Sequence, residues 1–154
     1  MDAIIFGGGR NRYDHYKFAC SQIDNFIIVS ANHWSMSHFV KPDYIAFIDR
    51  IDGPIGARVR QNVEFAARHK IKTISTDGHG QTTGDIIILN RSKKKIFDSG
   101  QLATYYAIKN VSGLVYLCGV DMRHGTWQYT SCRMKWKVFL SSLSINEIIR
   151  IRWL

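Results

Sequence analysis

The sequence predicts an α/β domain, a three-layer sandwich around a mainly parallel sheet. Three observations predict it. Short apolar, β-branched runs alternate with stretches of helical length, the pattern of βα units. Most of these runs stop at glycine, asparagine or aspartate, as strands do before a turn. The 154 residues carry no internal repeat, linker or low-complexity segment, so one domain, 1–154, accounts for the chain.

Ala3-Ile4-Ile5-Phe6 is the first, central strand and ends at Gly7-Gly8-Gly9, where the backbone is free to turn sharply or approach a ligand. Asn11–Cys20, with Tyr13, Tyr16, Lys17 and Ala19, is a short helix. Phe26–Ser30 is the second strand, ending in Ala31-Asn32-His33-Trp34. Lys41-Pro42-Asp43 is a turn, and Tyr44–Ile48 is a third strand ending at Asp49. Val59, Val63 and Ala66 recur at helical spacing, which makes Ile55–Lys70 an amphipathic helix. Lys72–Thr76 is a fourth strand before Asp77-Gly78-His79-Gly80. Ile86–Leu89 fits a strand or a helix start, and its three isoleucines favour the strand. A helix opens on Ser99-Gly100, with Ser99 as its N-cap. Leu114–Val120 is a buried strand ending in Gly119-Val120-Asp121. Gly125–Thr130 is a polar, aromatic loop, and about 132–154 forms one or two C-terminal helices. The apolar Trp136, Val138, Phe139 and Leu140 there suggest a homodimer contact.

Bulk properties narrow the class. Hydrophobic residues make up 45% and charged residues 21%, ordinary for a globular domain, and no apolar run is long enough to span a bilayer. The N-terminus lacks the basic start and long apolar core of a signal peptide, so a cytoplasmic location is expected. Cys20, Cys118 and Cys132 include no C-x-x-C pair, which argues against a zinc ribbon or a disulfide framework. The six histidines show no metal-binding spacing, so no metal ligand is assigned. Net charge is +9 with pI near 9.7, which favours phosphorylated or polyanionic partners. Arg91-Ser92-Lys93-Lys94-Lys95 is the one real basic cluster, and between two apolar segments it reads as a solvated loop.

The candidate site gathers residues from just beyond the strand ends. Gly7, Gly8, Gly9 and Arg10, then Asn32, Asp49, Ser99 and Gly100, would share one edge of a parallel sheet, where such sheets bind ligands. The helix mouth at Ser99-Gly100 offers free N–H groups and the positive end of a dipole to a phosphate. Asp49 and Asp121 have the chemistry to hold a ribose hydroxyl or a hydrated Mg²⁺, or to act as a base; as turn caps they would do none of these. Asp49 with Asp52 is a candidate carboxylate pair for that Mg²⁺. Among His33, His79 and His124, the last follows Gly-x-Asp most closely, so His124 and Asp121 are the catalytic candidates. The glycines fit neither the dinucleotide fingerprint nor the P-loop, and no G-x-S-x-G elbow is present.

Gly7-Gly8-Gly9, Ala31-Asn32, Pro42-Asp43-Tyr44 leading to Asp49, Ser99-Gly100 and Gly119-Val120-Asp121 together resemble a known pattern across about residues 1–125. It is that of the Rossmann-like family of 6-hydroxymethylpterin pyrophosphokinase-like proteins, and it is similar to that of the bacterial CMP-sialic-acid-dependent sialyltransferases. The first motif departs from it: Gly-Gly-Gly-Arg-Asn stands where Gly-Asn-Gly-Pro-Ser is expected. The resemblance implies a Rossmann-like three-layer sandwich and a nucleotide or nucleotide-sugar cosubstrate, with transfer of a glycosyl or diphosphate group. The sialyltransferases' late histidine base would correspond to His124. A compact version of such a fold suits a small genome such as a phage's. Two other expectations stand beside the transferase: a non-catalytic nucleotide-binding or sequestering module, and a single-stranded nucleic-acid-binding protein. The last draws on the charge and on Trp127, Tyr129, Trp136 and Trp153 among basic residues.

Overall fold

The computed structural model describes residues 1–32, 40–49, 56–77, 84–120 and 127–154. Among them run β1 (Asp2–Phe6), α1 (Arg12–Gln22), β2 (Phe26–Ala31), β3 (Tyr44–Ala46), α2 (Gly56–His69), β4 (Lys72–Thr76) and β5 (Ile86–Ile88). After these come α3 (Ser99–Asn110), β6 (Val115–Cys118), α4 (Trp127–Ser141), α5 (Ile145–Ile148) and β7 (Ile151–Trp153). The strands form one sheet in the order β5-β4-β3-β2-β1-β6-β7, and every pairing is parallel. The fold is therefore α/β and Rossmann-like, as the sequence predicts.

Alternation along the central strands builds the layers. On β1, Ala3 and Ile5 join the core under α3 and α4, with Leu102, Ala107, Trp136 and Phe139. Ile4 and Phe6 point the other way, into the core under α1 with Ala19 and Cys118. On β3, Ala46 belongs to the first core, whereas Ile45 packs under α2 with Val59 and Ala66. A strand covered on both faces has no polar side to show, which is why these runs are uninterruptedly apolar.

The strand order steps outward from β1 through β2, β3 and β4 to β5, then returns across the sheet through α3 to β6 on the other side of β1. The reversal between β1 and β6 opens a crevice at the carboxyl ends of those two strands. The opposite edge is closed by carboxylates. Asp2 Oδ1 accepts from the Leu114 N–H (2.6 Å) and Asp43 Oδ2 from the Ile28 N–H (2.8 Å). Asp85 Oδ2 accepts from both the Thr73 N–H (2.7 Å) and hydroxyl (2.8 Å). Those bonds hold the Asp85 carboxyl below its usual pKa.

The C-terminal expectation needs correction. Residues 127–130 are helix, not loop, and α4 begins there. The tail after it is one turn, α5, followed by a strand. Ser144 caps α5 through a capping box with Glu147. Ile151 is half-buried while Arg152 and Trp153 are both exposed, so no alternation marks this three-residue strand in the sequence. Arg150 fixes the strand: its guanidinium donates to the carbonyls of Gly113 (2.8 Å), Ile108 (3.2 Å) and Val111. Trp136 and Phe139 are buried in the chain's own core, and Trp153 packs edge-on to Trp136 at 4.8 Å. Of the residues that suggested a dimer contact, Val138 is the exposed one. No helix among the described residues is long and apolar enough to cross a membrane.

Candidate functional site

The crevice is built first by glycine. The Gly7 N–H donates to Cys118 O (2.8 Å) and the Gly9 N–H to Gly119 O (2.7 Å), extending the β1–β6 ladder past the strand ends. A Cβ on Gly7 would overlap the Gly119 carbonyl oxygen and lie 2.9 Å from its carbon. Gly119 has φ +64°, and a Cβ there would lie 3.0 Å from Arg12 Cα. The two loops pack backbone to backbone, which starts α1 directly against the end of β6.

The mouth of α1 is left open. Asn11, at its N-cap, makes no side-chain cap. The N–H groups of Gly8, Arg10 and Asn11 donate to no group among the described residues, and all three residues are exposed. Arg12 Nη1 donates to Gly8 O and Gly9 O, both at 3.1 Å. Its Nε is buried without an acceptor among the described residues. A buried donor left unanswered is the exception in a folded protein and calls for an explanation. The Gly119 N–H donates to His15 Nδ1 at 3.3 Å.

The mouth of α3 is different, and it corrects the assignment of Ser99. The N-cap is Asp98, whose Oδ1 accepts from the Gln101 N–H at 2.8 Å. Ser99 is the first helical residue and is buried. The place that an anion would take is held by the chain's own carboxylate. Loss of water raises the pKa of the half-buried Asp98, against the lowering effect of the Gln101 and Gly100 amides and of Lys135. Behind it, the fully buried Gln101 accepts from the Phe97 N–H through Oε1 (2.6 Å), and its Nε2 has no acceptor among the described residues.

Ser99 contributes elsewhere. Its hydroxyl lies 3.4 Å from Asn32 Oδ1, which also accepts from Asn62 Nδ2 at 3.3 Å. Asn32 sits at φ +64°, a conformation asparagine tolerates. Ser30, Asn62 and Ser99 are all buried, so this is a hydrogen-bonded cluster at the joint of β2, α2 and α3.

Gly7, Gly8, Gly9, Arg10, Asn32, Asp49, Ser99 and Gly100 all lie on the carboxyl edge of the sheet. The Val120 side chain joins two parts of it, 3.1 Å from where a Gly7 Cβ would stand and 3.5 Å from a Gly100 Cβ. Asp49 is half-buried just beyond β3. Asp77, also on this edge, is a turn cap: it accepts from the N–H groups of Asn90 (2.7 Å) and Arg91 (3.1 Å), which lower its pKa. Asp121 and His124, with Asp52, His33 and His79, lie outside the described residues. Among the described residues no three His, Cys, Asp or Glu gather to hold a metal. Cys118 is no nucleophile, because burial pushes its thiol up to about 12.

Arg12, His15, Asn62, Asp98 and Gln101 escape the sequence reading. Arg12 had a signal, a cation in the first helical turn after a glycine run. Asp98 had one too, since aspartate and serine cap equally well and adjacent candidates compete. His15 and Asn62 had none, because their partners are distant in sequence. Compared with known proteins, the chain matches no family model, no curated protein and no solved structure.

Proposed function

We propose that the protein binds a nucleotide or nucleotide-sugar at the carboxyl edge of its sheet and transfers a glycosyl or diphosphate group from it. One observation carries the reading. At the strand-order reversal, an uncapped helix mouth, three unengaged amides and an arginine with a buried unanswered Nε converge. The phosphates belong there, with Gly8, Arg10 and Arg12. The Asn32–Asn62–Ser99 cluster, further along the same edge, is the polar counterpart of a ribose or sugar hydroxyl. Asp121 and His124 follow β6 directly in the chain and keep the catalytic roles. His124 takes the proton from an acceptor hydroxyl, whose oxygen forms the new bond while the phosphate-bearing group departs with the bonding electrons. Mg²⁺ would accompany a diphosphate, with Asp49 as its described carboxylate.

Calorimetry with CMP, CDP, ATP and CMP-sialic acid tests this. Binding of at least one nucleotide, weakened in Arg12→Ala, supports the reading; no binding at millimolar concentration contradicts it. Turnover that disappears in His124→Ala separates a transferase from a module that only sequesters its nucleotide.

A further inference from the structure

A second surface lies apart from the nucleotide site. Ile145 and Ile149 on and just after α5, 77% and 60% exposed, are the two most exposed large apolar side chains among the described residues. Met134 and Val138 on α4 are exposed as well. Helical spacing sets the outward side of α4. Trp136, Phe139 and Leu143 are buried, so Met134 and Val138, one turn apart, stand opposite them. Arg133 and Lys137, also exposed and one turn apart, form the adjoining row. Lys135 and Ser142 form the row on the other flank. That flank is turned towards α3, because Ser142 donates to Lys94 O (3.1 Å) and the Lys94 ammonium lies 5.8 Å from the Tyr105 ring centre. The row of Arg133 and Lys137 therefore points away from α3. So do the isoleucines. Glu147 reaches Lys109 of α3, and Ile145 and Ile149, each two positions from it, leave the turn on the opposite side. Residues 127–146 hold no Asp or Glu, and no ion pair among the described residues engages Arg133 or Lys137.

We propose that this face, Arg133, Met134, Lys137 and Val138 of α4 with Ile145 and Ile149, docks on an anionic lipid surface. Unneutralised cations beside exposed apolar side chains match the two layers of such an interface. The cations reach the headgroups, and the apolar side chains enter the boundary with the acyl chains. Charge argues against a second copy of the chain. Across a two-fold axis the face would meet itself and set Arg133 and Lys137 against their own copies, with no carboxylate on α4 to answer them. A phosphate backbone would answer the cations and leave the isoleucines in water.

The test is co-sedimentation of the full chain with phosphatidylcholine vesicles, with and without phosphatidylserine, each variant being checked for an unchanged Tm. The proposal expects partition onto the phosphatidylserine vesicles and none onto phosphatidylcholine alone. Ile145→Ser/Ile149→Ser should weaken that partition about tenfold, because apolar burial drives part of it. Lys137→Glu should weaken it about fivefold. Lys135→Glu changes the net charge equally on the α3 flank and should cost clearly less. Sedimentation velocity without vesicles should show a monomer, and a labelled oligothymidylate should bind the isoleucine variant as it binds the wild type. Absence of partition onto phosphatidylserine vesicles overturns the proposal. So does an isoleucine variant that partitions like the wild type, or equal losses from Lys135→Glu and Lys137→Glu, which would reduce the effect to net charge. A dimer that the isoleucine variant abolishes overturns it in favour of a second copy.

Discussion

The mouths of α1 and α3 face the same edge of the sheet, and both lie beside glycines that give access to backbone N–H groups. At α3 an aspartate stands at the N-cap, and its carboxylate takes the Gln101 N–H. At α1 the corresponding residue is Asn11, which makes no such bond, and Arg12 adds positive charge behind the exposed amides. The same macrodipole thus serves stability at one helix and remains available to a ligand at the other. Glycine beside a helix start says only that the mouth is accessible. The residue at the cap decides whether it is vacant.

The largest effect should come from the close approach that sets up α1. Gly119→Ala forces a Cβ onto Arg12 at a left-handed φ, and a cost of about 3 kcal/mol is expected. Urea denaturation should show it as a lower midpoint, with nucleotide affinity falling in parallel; an unchanged midpoint would remove the packing argument for the α1 mouth. Next, Arg12→Ala should weaken nucleotide binding about tenfold, or about 1.4 kcal/mol, while Asp98→Asn leaves it unchanged. Equal losses from both variants would erase the difference between the mouths.

Smaller effects sharpen the contrast from the α3 side. Asp98→Ala should cost about 1 kcal/mol as a lost cap, while Asp98→Asn retains most of that bond. Because the folded pKa of Asp98 is raised, its contribution is fully present below the unfolded pKa and is lost as pH rises through the folded value. Asp98→Asn should remove that decline from a plot of urea midpoint against pH. Glu147 has the opposite sign. Lys109 and the Ser144 backbone amide hold it down to about 2, so its contribution is present at neutral pH and lost as pH falls towards that value. Glu147→Gln should flatten the acid limb instead, at a cost of about 0.5 kcal/mol for the exposed pair.

The central fold was legible because burial on both faces leaves a strong signal. Ala3–Phe6 is apolar at every position, since each side chain enters one core or the other. The tail was not legible. Ile151–Trp153 forms a strand because β6 offers a free edge and Arg150 locks the turn, and both causes are tertiary. The candidate site divides in the same way. Its glycines and strand-end polar residues showed as punctuation, and they do share one edge. The exchange of Ser99 for Asp98 at the cap turned on a one-residue shift that propensity does not resolve. The link from His15 to Gly119 spans two distant segments and left no local mark.

Backbone amide chemical shifts during a titration with CDP test most directly whether the two mouths differ as described. The Gly8, Arg10 and Asn11 amides should move with a common saturation curve while Gln101, bound to Asp98, stays in place. Movement centred on Ser99, Gly100 and Gln101, with the first loop silent, would contradict the vacancy of the α1 mouth.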